Sequence, residues 1–280
     1  MPSAEDIREG QRAAWAGLSA SWEKWDSIIM DQLGPVGDAI IERLDIVEDG
    51  QYLDIASGTG EPGLSIAVRA PKGRVVLTDL APEMLDVAAR RATSQGITNI
   101  ETQVCSADGL PFDDATFDGV AVRFGYMFFP DMAKATAEFV RVLKPGGRLC
   151  ASVWINPDDN PWTTITMQAV ASEVELPPPD PNGPNMYRCA SPGLVSALYE
   201  RAGLHEVAEW DVDVELVAHS PAEYLQVMSE HVSLAVAALK KVDGAARERI
   251  RANAMDKVRA FETDGVVRVP GAARCIVGTK

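Results

Sequence analysis

A chain of 280 residues can bury a large core, and this length suits one domain with an elaborated cap. The formal charge of −15 and an isoelectric point near 4.6 argue against nucleic acid, whose phosphates need clustered Lys and Arg. Lys240-Lys241 and the arginines of 247–251 are interrupted by acids and read as a solvated helix face. The cysteines at 105, 150, 189 and 275 are scattered without CxxC spacing, which argues against a zinc site or a disulfide framework. No apolar run is long enough for a membrane span, and the early acids Glu5, Asp6 and Glu9 do not suit a secretory leader, so a soluble cytoplasmic protein is expected.

Residues 1–47 read as two or three helices forming an N-terminal arm. Trp15, Leu18, Trp22 and Trp25 recur at three- and four-residue steps, which places them along one helical face. That stripe either packs the arm onto the body or lets Trp22 and Trp25 close over a ligand. Ile40, Ile41 and Leu44 form another apolar face.

Residues 48–154 alternate strand and helix patterns, which predicts an α/β core with a doubly wound, mostly parallel sheet. Its first unit is the most informative. Tyr52, Leu53 and Ile55 give strand character, Asp54 sits near the carboxyl end, and Gly58 and Gly60 allow a sharp turn. Pro62 suits a first helical turn, and Leu64, Ile66, Ala67 and Val68 begin a helical face. Such a turn brings bare backbone against a nucleotide-like cofactor at the carboxyl edge of the sheet.

Gly58-x-Gly60-x-x-Gly63, with Asp79 some twenty residues on, also matches a dinucleotide fingerprint. Asp54 opposes that choice, because a pyrophosphate would meet its negative charge, whereas an ammonium or sulfonium group would be attracted. The downstream segments agree. Residues 73–79 read as a strand ending in Asp79, which can accept from both hydroxyls of a ribose. Leu80 and Met84 follow as apolar contacts for an adenine face, and Asp108 can accept from an adenine amino group. Residues 117–122 and 148–154 read as the fourth and fifth strands. Between them, a helix over 132–143 precedes a tight turn at Lys144-Pro-Gly-Gly147.

The ordered set Asp54-x-Ala56-x-Gly58-x-Gly60, Asp79, Ala107-Asp108, Phe117-Asp118 and residues 142–147 resembles the class I S-adenosylmethionine (SAM)-dependent methyltransferases. The resemblance is closest to the small-molecule branch related to ubiquinone and menaquinone C-methyltransferases, and it runs from about Trp15 to Trp154. It implies a Rossmann-like sheet whose last strand inserts antiparallel beside the fifth. SAM, leaving as S-adenosylhomocysteine (SAH), would lie along Asp54, Ala56, Ser57, Gly58, Gly60, Asp79, Leu80, Met84, Ala107, Asp108, Gly109 and Arg123. Ala56 departs from the family, which often has glycine there, and a slightly shifted loop is expected. Trp15 and Trp22 keep the spacing of a Phe-x6-Tyr pattern in the family's arm, which favours a lid.

Residues 155–190 form a Pro-rich insertion, with prolines at 157, 161, 177, 178, 179, 181 and 184 and a short helix over 163–174. Residues 191–280 return to the core: a helix over 194–202, a strand over 207–217, cap helices over 221–239 and 245–261 within a cap at 221–262, and a last strand over 272–277. With the arm, these segments make a mostly apolar cap for a small-molecule acceptor.

Methyl transfer to such an acceptor needs alignment, and no metal is expected, since no His, Cys or carboxylate cluster has ligand spacing. A base matters only where the acceptor must lose a proton. Of His205, His219 and His231, the last falls on a cap helix and is the candidate base, against a structural role. Arg123 can position an acceptor oxyanion or make an ordinary ion pair. Trp22, Trp25, Tyr126, Phe128 and Trp162 are candidate substrate contacts that can equally be core or loop anchors. A SAM-binding protein without transfer activity and an NAD-dependent oxidoreductase are the alternatives. The sequence leaves the acceptor atom and the oligomeric state open.

Overall fold

A computed structural model describes residues 3–175, 183–231, 239 and 242–280. Three helices open the chain: α1 (Ala4–Ala16), α2 (Ser19–Lys24) and α3 (Asp26–Arg43). Then come β1 (Gln51–Ile55), α4 (Gly63–Arg69), β2 (Arg74–Asp79), α5 (Pro82–Gln95), β3 (Ile100–Val104), β4 (Phe117–Arg123), α6 (Met132–Val142) and β5 (Leu143–Trp154). The remainder is α7 (Pro161–Ala171), α8 (Leu194–Arg201), β6 (His205–Ala218), α9 (Pro221–His231), α10 (Gly244–Val258), β7 (Glu262–Thr263) and β8 (Val266–Thr279). Prolines 177–179 and 181, Lys240-Lys241 and most of the stretch expected to continue the helix past His231 lie outside the described residues.

One sheet runs in the order β3-β2-β1-β4-β5-β8-β6, with β7 paired to β8. The first five strands are parallel, and β8 enters antiparallel beside β5, as expected. β6 then pairs antiparallel with β8 over most of its length. β1 lies between β2 and β4 and is buried on both faces. That is why its sequence is a near-continuous apolar run rather than an alternating one.

Local signals set several boundaries. Pro82 opens α5 and Gly96 closes it in the left-handed region at φ 71°. A capping box of Ser3 and Asp6 starts α1, and Asp131 caps α6 by accepting from Lys134 N–H.

Three expectations change. The tryptophan stripe is not on one helix, because α1 ends at Ala16 and α2 at Lys24, with Trp25 at the joint before α3. Lys144–Gly147 is no free turn but part of β5. The pairing Phe117↔Leu143 steps to Gly119↔Arg148, so the extra residues bulge, with Gly146 at φ 79° absorbing the bend. The last strand is also far longer than 272–277. Pro270 fits inside it because it lies beyond Ala273, the last residue paired to β5.

The β1–β2 entrance is packed to the backbone. A Cβ on Gly73 would sit 2.0 Å from the Gly50 carbonyl oxygen. Gly73→Ala should therefore destabilise the fold by about 1–3 kcal/mol, the range for forced overpacking, read as a lower urea midpoint.

Candidate cofactor and acceptor site

The carboxyl ends of β1, β2 and β4 carry the expected residues to one edge. Asp54 is completely buried, and its Oδ2 accepts from Gly63 N–H at 2.9 Å. That short tie requires glycine, since a Cβ on Gly63 would meet Leu77 at 2.2 Å and Asp54 Oδ2 at 2.8 Å. Its other oxygen, Oδ1, is buried without a hydrogen-bond partner among the described residues. Burial pushes the carboxyl pKa up to about 8. Ser57 Oγ is likewise buried and unpartnered. A buried acid and hydroxyl with unused capacity fit the ammonium end of SAM.

The loop itself is bent by Ala56, Gly58 and Gly60, with φ of 53°, 54° and 109°. Ala56 thus holds a left-handed conformation without glycine, at a cost in backbone strain. A Cβ on Gly60 would press on Leu64 at 2.9 Å and Ala88 at 3.1 Å. Asp79 pins the loop from the next strand: Oδ2 accepts from Gly58 N–H at 3.0 Å and Oδ1 from Ala81 N–H at 2.9 Å. Burial raises its pKa, against these backbone donors. Its position at the end of β2 suits a ribose, with the buried Met84 one helical turn further on. Leu80 beside it is half-buried.

Asp108 is 6% exposed in the loop after β3, with Ala107 and Gly109 on either side. Its Oδ1 accepts from Ser106 Oγ, and its Oδ2 pairs with Arg8 of α1 at 2.9 Å. Arg8 was not foreseeable from its sequence context, since its obvious partner is the local Glu5.

The acceptor-side candidates separate into two groups. Trp22 meets the His231 ring at 4.4 Å, Trp15 meets Trp22 at 6.1 Å, and Trp15 meets Phe128 at 5.3 Å. Trp22 Nε1 and His231 Nδ1 are both buried and unpartnered among the described residues. Burial lowers the His231 pKa to about 4. Trp25 instead donates its Nε1 to Glu230 at 2.9 Å, and Lys24 Nζ reaches the same carboxylate at 2.7 Å, fastening the arm to α9.

Tyr126 and Trp162 do not join this group. Tyr126 is wholly buried among Phe129, Phe139 and Tyr199, with its hydroxyl 3.1 Å from Thr136 Oγ1. Trp162 donates to Asn160 Oδ1 at 3.0 Å, and Asn160 is tied to Ala272 through both its amide groups. Both residues are core anchors rather than pocket walls. His205 and His219 are exposed.

Arg123, at the end of β4, has no carboxylate within ion-pair distance among the described residues. Its guanidinium touches the Leu33 carbonyl at 3.4 Å and the Met30 sulfur at 3.6 Å. Burial pulls its pKa down, offset by the fields of Glu61, Asp54 and Asp26. The ordinary ion-pair role is not what the structure provides. No group of three or more His, Cys, Asp or Glu suited to a metal occurs among the described residues, and no helix there is long and apolar enough to cross a membrane.

This sheet order, with its glycine–acid edge, is that of the class I SAM-dependent methyltransferases. Residues 14–158, just over half of the chain, match the model of the ubiE/COQ5 methyltransferase family, and the chain belongs to that family. It is 46% identical over 101 residues to a demethylmenaquinone methyltransferase of Thermus thermophilus, a match covering 35% of this chain and 44% of that enzyme. The match to a ubiquinone/menaquinone biosynthesis C-methyltransferase of Bordetella parapertussis is 47% over 100 residues, covering 35% and 38%. The chain thus spans less than half the length of either enzyme. An uncharacterized protein of Mycobacterium bovis is 32% identical over 209 residues, covering 73% of this chain and 75% of that one. Among solved structures, the fold is shared with the YcgJ protein of Bacillus subtilis, at TM-score 0.55 and 21% identity over 87% of this chain and 97% of that one. It is shared too with Haemonchus contortus phosphoethanolamine N-methyltransferase 2, at TM-score 0.58 and 18% identity over 100% and 60%, a structure that holds phosphomonomethylethanolamine and S-adenosylhomocysteine.

Two outcomes follow from the loop. Ala56→Gly should relieve the left-handed strain and raise stability by about 1 kcal/mol, seen as a higher melting temperature. Asp54 acts in the opposite sense. Because its folded pKa lies near 8 and an unfolded Asp titrates near ~4, the folded chain holds a proton that the unfolded chain releases. Stability of the cofactor-free protein should fall as pH rises through that window, and Asp54→Asn should flatten the slope in thermal melts.

Proposed function

We propose that the protein transfers the methyl group of SAM to a small, partly apolar acceptor, such as a quinone precursor, a phenol or a natural product. The observation that carries this reading is the Trp22–His231 contact. It joins the arm to the cap helix α9 and leaves a ring N–H and a ring nitrogen without partners among the described residues. A buried donor or acceptor left unpaired costs about 1–3 kcal/mol, so a polar group on the acceptor is the natural partner. Quinone-related acceptors are favoured by the names of the Thermus and Bordetella relatives.

SAM, when bound, supplies an activated methyl on a good neutral leaving group. The remaining work falls to the chain. Asp54 and Ser57 hold the cofactor's ammonium end, Asp79 its ribose and Asp108 its adenine amino group. Trp15, Trp22 and Phe128 wall off water beside Met84. Arg123, with no carboxylate partner among the described residues, offers its fork to an acceptor oxyanion. His231, neutral above pH ~5, accepts a hydrogen bond from an acceptor hydroxyl and orients it; a nitrogen of so low a pKa is a weak base in the free protein. Four thiols without disulfides and an acidic surface favour a cytoplasmic protein that does not act on nucleic acid.

Isotope transfer from methyl-labelled SAM into a metabolite extract tests the activity and identifies the acceptor. Asp79→Ala should weaken SAH binding about tenfold or more, the loss of one hydrogen bond to a charged group, measured by calorimetry. His231→Ala should leave SAH affinity unchanged and slow transfer by about 10²-fold, the low end for a positioned polar group. The acid limb of the wild-type pH–rate profile should fall below pH ~5 rather than near ~6.5. An unchanged rate in the His231 variant would remove that residue from the site.

A further inference from the structure

The arm divides into two parts that pack differently. α3 belongs to the main core through Ile29, Leu33, Val36, Ile40 and Ile41. α1 and α2 bury no residue within their own spans. Leu18 at their joint forms a small cluster with Ala81 and Met84, against which Trp15, Ala16 and Trp22 pack, and Trp22 also touches the main core. Ala81 and Met84 follow β2, so this cluster lies over the position assigned to adenine. The joint between the two parts is Trp25, which ends α2 and begins α3 with a conformation outside the helical region.

The polar seat of adenine is covered by the same segment. Arg8 Nη1 is 2.9 Å from Asp108 Oδ2, while Ser106 takes Oδ1. Lys134 adds only a 3.7 Å contact from an exposed position. Both oxygens of the carboxylate are therefore committed within the chain. Arg8 presents N–H donors where an adenine amino group would present its own. The other ion pairs of α1 are internal: Arg8 with Glu5, and Arg12 with Glu9. Arg8–Asp108 is thus the polar tie that holds α1 to the body among the described residues.

We propose that residues 4–24 are a self-inhibitory lid, with Arg8 standing in for the adenine amino group on Asp108. This rests on the cofactor assignment above. Adenine enters by breaking the Arg8–Asp108 pair and parting the small Leu18–Met84 cluster, while α3 stays in the core; the tryptophans then close again over the bound cofactor and restore the Trp22–His231 contact, with Arg8 displaced from Asp108. The apparent affinity for cofactor is lowered by the fraction of molecules in the closed state. Arg8 is a positioning residue of the closed state and takes no part in transfer.

The test is calorimetric titration of the full-length protein with SAH, joined to stopped-flow tryptophan fluorescence, since Trp15 and Trp22 ride on the lid. Arg8→Ala should tighten SAH binding by about 3- to 10-fold, as expected for removing a competing closed state of modest stability. It should also speed association and abolish its saturation at high SAH. Arg8→Lys, which keeps the charge and the helix but loses the fork, should fall between. Arg12→Ala should behave as the wild type, because Arg12 pairs with Glu9 on its own helix. Weaker or unchanged SAH binding in both Arg8 variants would overturn the proposal while leaving the cofactor assignment intact. Failure of the wild type to bind SAH, with Asp79→Ala no worse, would instead overturn the cofactor assignment and the lid with it.

Discussion

A carboxylate with no exposure to water, held by one backbone N–H, fixes the geometry of the whole carboxyl edge. Asp54 Oδ2 and Gly63 N–H close the turn between β1 and α4. The helix cannot retreat from the strand, and Leu77 of the neighbouring strand fills the space a side chain at Gly63 would need. Asp79 repeats the device one strand over by binding Gly58 N–H. Two acids from adjacent parallel strands thus clamp one loop from both ends. Each is raised in pKa by its burial, which holds it toward the protonated form until a cationic or hydrogen-bond-donating ligand stabilises the carboxylate.

Around that clamp the chain keeps its rigid and its separable parts distinct. The parallel strands, α3 and the long β8–β6 pair share one continuous core. The first two helices stand on a satellite cluster, fastened by charged contacts to Asp108 and, at their far end, to Glu230. The Lys24–Glu230 pair is partly exposed and contributes little, about 0–1 kcal/mol; Arg8–Asp108 is mostly buried, but it is a single pair on a helix that buries nothing else. Such fastenings suit a segment that opens far more than one that carries the fold.

What was legible in the sequence follows from how local each signal is. The glycine turn and its flanking acids were readable because strand, turn and helix start are adjacent in the chain, and each residue type there answers a backbone requirement. The aromatic run after β4 was not. Phe128 and Tyr126 are two residues apart, yet Phe128 meets Trp15 of the arm while Tyr126 is locked among Phe129 and Phe139. Only tertiary packing decides which aromatic faces which side. Asn160 and Trp162 were ambiguous for the same reason, and their ties to β8 make them anchors. Arg8 left no trace, because an arginine three residues from a glutamate on an exposed helix has a sufficient local explanation. The tryptophan steps at Trp15, Leu18 and Trp22 did find a common surface. They reach it across a helix break rather than along one helix, since a small cluster needs proximity and not helical continuity.

The balance of charge at the methionine end gives the last constraint. Arg123 is a half-buried cation whose contacts are a carbonyl and a thioether. The nearby acids are already engaged, Asp26 with Arg91 at 3.1 Å, Glu61 with Ser65 N–H at 3.2 Å and Asp54 with Gly63. Asp54 nevertheless keeps one buried oxygen without a partner among the described residues. The Asp54 carboxyl and the Arg123 guanidinium, on adjacent strands β1 and β4, are not within ion-pair distance of each other. A ligand carrying both an ammonium and an anionic group would satisfy each separately, and an acceptor oxyanion would satisfy Arg123 alone. Either way, the edge is built for a guest with charges of both signs. That is what distinguishes it from a turn shaped only for phosphate, where an acid at the end of β1 would repel the ligand.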